Sequence, residues 1–150
     1  MEKLKRLTLV RKPILESPTS SMSMMPCAET AALVGDMMNS ATAIHQLHLK
    51  VSGVGSYSAH KALGDYYEAI PGHADSIAEQ YQGARESLLD IPVTTPLKLN
   101  SIEEAIAHLR TMITKVNALQ AIMPFSEIVN QLDEVKSLID STKYKLLFLK

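Results

Sequence analysis

Leu33, Met37, Ala41, Ile44, His48 and Val51 follow one another at spacings of four, four, three, four and three. A helix returns to the same face every 3.6 residues, so this alternation predicts an amphipathic helix over residues 28–51. Ser52-Gly53-Val54-Gly55-Ser56 then reads as a loop, because paired glycines disfavour a helix interior. A second helix is predicted from Ser58 to a point before Pro92, with Leu63, Tyr67, Ile70, Ala74, Ile77 and Tyr81 as its stripe. Pro71-Gly72 lies inside it and predicts a kink, a bulge or a break, since proline removes one backbone bond and crowds the preceding turn. A loop through Pro92 and Pro96 to Asn100 follows, with at most a short helical turn.

Ser101-Ile102-Glu103-Glu104 has the form of a capping box, which opens a third helix. Its stripe is Ile102, Ile106, Leu109, Ile113 and Val116, and it should stop near Pro124. The fourth helix is expected to take Ser126 as its N-cap and to bury Ile128, Leu132, Val135, Ile139, Thr142, Leu146 and Leu149, which implies a docked C-terminus. Four such segments predict an all-α, up-down four-helix bundle made of two antiparallel hairpins joined by a long crossover between the second and third helices.

Composition supports this reading. With 46% hydrophobic residues, 5% aromatic and no Trp, the chain suits aliphatic helix packing better than an aromatic-rich β sandwich. Pro13, Pro18, Pro26 and the Ser/Met run over 20–25 resist regular structure, so residues 1–27 are expected to form an extended arm ahead of one domain over 28–150. Lys3, Lys5, Arg6, Arg11 and Lys12 against Glu2 give residues 1–12 a charge of +4, and the remaining 138 residues carry −5. A basic arm binds phosphates by counterion release, which makes nucleic acid a secondary expectation behind a solvated or self-packing tail. The single Cys27 excludes an intramolecular disulfide and a thiolate zinc site, and fits a reducing cytoplasm. No apolar run approaches the roughly 20 residues of a membrane span and no signal-peptide pattern opens the chain, so a soluble, unexported protein is expected.

Four residues suggest chemistry. His48 lies on the apolar stripe, where an imidazole needs a hydrogen-bond partner, and a lone inward histidine is most often a satisfied core residue. Asp75 and Glu79, four residues apart, put two carboxylates on one helix face, where a cation, a proton or solvent must relieve their repulsion. His60 shares that helix, yet 15 residues at about 1.5 Å each separate it from Asp75 by roughly 22 Å. One ion with bonds near 2 Å cannot reach both, so a shared site requires half of its ligands from a second chain.

His48, His60, Asp75 and Glu79 are separated by eleven, fourteen and three residues. In this spacing, together with Gly53, Ala78-Glu79, Thr95-Pro96-Leu97-Lys98 and the two C-terminal helices, the chain from about residue 30 to 150 resembles the Dps miniferritins of the ferritin-like superfamily. The resemblance implies a ferritin-like bundle assembled into a hollow dodecamer. It also implies a ferroxidase site at the two-fold interface, where His48 and His60 of one subunit and Asp75 and Glu79 of another bind iron (Fe2+/Fe3+) or another divalent metal. Three positions depart from the family pattern. Gly64 stands where the family carries an aspartate, leaving Asp65 and Glu68 as candidates for a second iron; Leu49 replaces a tryptophan, and Pro71-Gly72 interrupts the second helix. His45 and His73 flank the set as further imidazoles. The expected function is iron oxidation and storage with peroxide or O2 as oxidant, and the alternative is a structural or interaction bundle with a degenerate or non-redox site.

Overall fold

The computed structural model describes residues 26–149. The described residues form four helices and no strand: α1 (Cys27–His48), α2 (Ser56–Arg85), α3 (Ile102–Gln120) and α4 (Ser126–Phe148). Most of the expected arm, including all its basic residues, lies outside the described part. No described helix is long and apolar enough to cross a membrane.

Each helix buries one stripe, and the stripes meet in one core. Leu33, Val34, Met37 and Ile44 of α1 face Leu63, Ile70 and Ile77 of α2, with Leu109, Val116, Leu132 and Ile139 from α3 and α4 closing the interior. The predicted stripes hold with shifts of one position. In α2 Tyr66 is fully buried in place of Tyr67, which is only half-buried; in α3 Met112 is buried and Ile113 lies at the edge. Thr142 is buried in α4 and satisfies its hydroxyl by donating to the Leu138 carbonyl one turn back.

The cross-helix contacts define the topology. α1 packs on α2 and α3, and α4 packs on α2 and α3. Ser40 meets His108 and Asp36 meets Lys115, so α1 and α3 are antiparallel. Asp65 meets Lys145 and Tyr81 meets Phe125, so α2 and α4 are antiparallel too. The long connection over 86–101 therefore runs the length of the bundle and lets α2 and α3 point the same way, the crossover connectivity that was expected. It contains no helical turn. Asn39 fastens it, donating to the Thr95 carbonyl and accepting from the Leu97 amide at 2.8 and 3.1 Å. Gly35 makes the approach possible, because a Cβ there would stand 3.0 Å from the Pro92 carbonyl oxygen.

Helix ends follow local chemistry. α1 stops at His48, and the loop turns through Gly53 and Gly55 at φ of 91° and 76°, a region open to glycine at little cost. Ser101 caps α3 by accepting from the Glu104 amide, and Glu104 reaches back to the Asn100 amide, a capping box displaced by one residue on its return arm. Two expectations are corrected. α2 has no break at Pro71: the missing amide leaves Tyr67 without the usual donor from residue 71, but Ile70, Ala74 and Ile77 are all buried and keep the helix continuous. Ser126 is the first residue of α4, not its N-cap, which is Phe125 without a side-chain cap. The C-terminal turn is tied by Ser58 Oγ donating to the Leu149 carbonyl, although Phe148 and Leu149 remain exposed.

Candidate functional site

The short α1–α2 loop brings the two histidines together. His48 ends α1 and His60 stands in the second turn of α2, and their rings stack with centroids 3.6 Å apart and planes 24° apart. Each ring bonds the other residue's backbone: His48 Nδ1 donates to the His60 carbonyl at 2.8 Å, and His60 Nδ1 donates to the His48 carbonyl at 3.2 Å. The His48 carbonyl is one of the orphan acceptors at a helix C-terminus, so His60 acts as a side-chain cap for α1. Placing both N–H groups at Nδ1 leaves the lone pair of each neutral ring on Nε2, the nitrogen able to bind a metal ion. A backbone carbonyl behind Nδ1 is the usual device that orients a ligating imidazole.

Gly64 lies beneath this pair. A Cβ on it would stand 3.4 Å from His48 Cε1 and 3.7 Å from Nδ1, ordinary contact distances, so the imidazole packs on α2 here with room for a methyl group. Two more rings complete the cluster. His45, one turn before His48, stacks on Tyr67 at 3.9 Å, and Tyr67 meets His48 edge-on at 5.0 Å. The Tyr67 phenol is pushed above its ordinary pKa by desolvation and by the neighbouring Glu68 carboxylate.

The carboxylates occupy other places. Asp75 and Glu79 are exposed, one turn apart on α2. Because α2 is continuous, the distance of roughly 22 Å from His60 to Asp75 along its axis stands. Asp65 is paired with Lys145 of α4 at 2.8 Å, and that hydrogen bond holds its carboxyl below the ordinary range. Glu68 is exposed beside Tyr67, and His73 is half-buried further along α2. Among the described residues, no three His, Cys, Asp or Glu side chains gather closely enough to hold an ion. One chain thus presents two separate pairs, imidazoles at the N-terminal end of α2 and carboxylates in its C-terminal half.

The geometry also limits what the histidine pair does alone. A ring nitrogen binds an ion in its ring plane at about 2.0–2.1 Å. Stacked rings with centroids 3.6 Å apart and planes only 24° from parallel do not converge within that length, so a single ion sharing both Nε2 atoms requires a ring to turn. As they stand, the two rings do not form a single two-nitrogen site.

One polar group escaped the sequence reading. His108, half-buried on α3, meets Ser40 Oγ through Nε2 at 2.7 Å, and Ser40 meets the Tyr66 hydroxyl at 2.8 Å inside the core. Burial pushes the Tyr66 phenol up to about 12. Nothing in the α3 stripe marked His108, because its partners come from two other helices.

No curated protein matches the chain. The model of a family of unknown function, DUF5856, covers residues 48–146, a span that opens on His48 and takes in His60, Asp75 and Glu79, and the chain belongs to that family.

Proposed function

We propose that the protein is a Dps-like miniferritin that takes up Fe2+ as its substrate at sites shared between subunits, oxidises it with peroxide or O2, and stores the product. The observation that carries this reading is the reciprocal bonding of His48 and His60, which commits both Nδ1 atoms to backbone carbonyls and leaves both Nε2 atoms available to a cation. Asp75 and Glu79 supply the complementary half from a second copy. Mixed imidazole and carboxylate donors suit iron in both oxidation states, and the carboxylates offset the charge gained on oxidation. With peroxide, two Fe2+ each give one electron, the O–O bond breaks, and two protons complete two waters.

Each group has a distinct role in this reading. His48 and His60 bind Fe2+ through Nε2, and Asp75 and Glu79 complete the site and draw the cation in. Asp65 and Glu68 are candidates for a second iron, Asp65 only after it leaves Lys145. A two-fold dimer is the smallest assembly that forms the site, and a dodecamer, placed in the cytoplasm, is the proposed storage form. Nucleic-acid binding through the arm is a subsidiary proposal.

Anaerobic Fe2+ titration followed by peroxide, on the wild type and on the His48→Ala/Asp75→Ala double variant, tests the assignment. The wild type should bind and oxidise iron and the variant should lose both; equal uptake and oxidation by the two proteins would refute it. A second reading, a structural or interaction bundle with a degenerate or non-redox site, is favoured by the Asp65–Lys145 pair and by the missing carboxylate at Gly64. Metal content and particle size of the purified protein separate the two, because a metal-free small oligomer fits only the second.

A further inference from the structure

His108 projects from α3 into a cleft of about 610 Å³ between α1, α3 and the crossover. Its Nε2 meets Ser40 Oγ of α1, and Ser40 in turn meets the Tyr66 hydroxyl of α2, so one chain of hydrogen bonds joins three helices. Ser40 and Tyr66 are fully buried. Two hydroxyl hydrogens must therefore find acceptors without help from water. Both are satisfied when Tyr66 donates to Ser40 and Ser40 donates to His108, an order that requires a lone pair on Nε2. The cleft's other charged or amide side chains are engaged: Asn39 with the crossover, Glu104 with Asn100, and Lys115 with Asp36.

We propose that the His108–Ser40–Tyr66 chain is an acid-released latch that holds α3 and the crossover against α1. Protonation at Nε2 turns the acceptor into a donor and reverses the relay. The imidazolium then donates to Ser40, whose own hydrogen is displaced toward the phenol oxygen or the carbonyl one turn back. The new positive charge also sits in a half-buried position. The charged groups facing it are Lys115 and Glu104 from α3 and Asp36 from α1; the crossover residues lining the cleft add none, and α2 contributes the neutral Tyr66. Asp36 is already paired with Lys115 at 2.6 Å, which weakens its pull on an imidazolium.

Desolvation first, and the Lys115 charge second, hold the imidazole below its ordinary pKa of 6.5, with Asp36 opposing. The sign follows. Once pH falls below the unfolded-state value, the unfolded chain takes up a proton that the folded chain resists, so the latch is fully effective above that value and loses strength on acidification. The structure released is the α1–α3 seam and the adjoining crossover; the α2–α4 contacts have no part in the relay.

Hydrogen exchange of the full chain at a series of pH values from about pH 8 to about pH 5, corrected for intrinsic rates, tests the latch. The expected result is a loss of protection on acidification confined to residues 35–40 and 95–112, with 128–142 unchanged. His108→Gln, whose amide oxygen accepts from Ser40 at every pH in the series, should show no such loss. Lys115→Met serves as a second variant that leaves the hydrogen-bond chain intact; removing the cation beside His108 should move the loss to higher pH. Undiminished protection of the wild type at the acid end, the same loss in His108→Gln, or an unmoved transition in Lys115→Met would each overturn the proposal.

Discussion

Single side chains in this bundle are governed by what backs them. His48 and His60 are fixed by each other's carbonyls, and the His48 ring packs over Gly64. Gly64→Ala brings a methyl into ordinary contact with the His48 ring and removes a helical glycine, so it should be neutral or stabilising by up to about 1 kcal/mol in urea unfolding. Iron binding should survive. Tyr66 makes the second test. Its phenol is raised to about 12, so the folded chain keeps its proton where the unfolded chain, near the ordinary value of 10, has lost it. Tyr66 thus contributes stability that is complete below pH 10 and lost as pH rises toward 12, on the order of 2–3 kcal/mol. The wild type should exceed Tyr66→Phe in stability at about pH 9, and the gap should narrow at about pH 11. A constant gap would contradict the assigned burial. The stripe periodicity marked His48, His60 entered only through its spacing from the other three residues, and the four-residue spacing picked out the carboxylate pair. Periodicity misjudged Tyr66 and Tyr67, because neighbouring residues 100° apart on a helix are distinguished only by the helix that packs on them.

Elements show the same division between local signals and tertiary ones. Helix existence followed from the 3.6-residue alternation, and the start of α3 from the Ser101 capping box, since both depend on near neighbours. The outcome at Pro71 did not, because the local cost of proline, about 3 kcal/mol in a free helix, was outweighed by buried residues on both sides. Pro71→Ala restores a donor for the Tyr67 carbonyl and should raise stability by about 1–3 kcal/mol in chemical unfolding. Gly35→Ala is expected to act in the opposite sense. Its Cβ would stand 3.0 Å from the Pro92 carbonyl, so the crossover must shift and stability should fall by about 1–3 kcal/mol. Exchange of the Leu97 amide, held by Asn39, should quicken with it. The path of the crossover was not legible in the sequence, because its contacts pair residues more than fifty positions apart.

At the scale of the molecule, one chain folds into a four-helix bundle whose imidazole and carboxylate pairs lie too far apart to share an ion. That separation was legible beforehand, since a helix fixes distance by counting residues. A site with its halves on different chains has a signature no single-chain site can reproduce. If His48→Ala/His60→Ala and Asp75→Ala/Glu79→Ala proteins are co-assembled, one of the two interface sites in each mixed dimer takes intact histidines from one chain and intact carboxylates from the other. Anaerobic Fe2+ titration of that co-assembly is the most direct test. Each double variant alone should bind no iron at the site, and the mixed dimer should recover one of the two wild-type sites; a mixture that binds no more than its separate components would contradict the shared site.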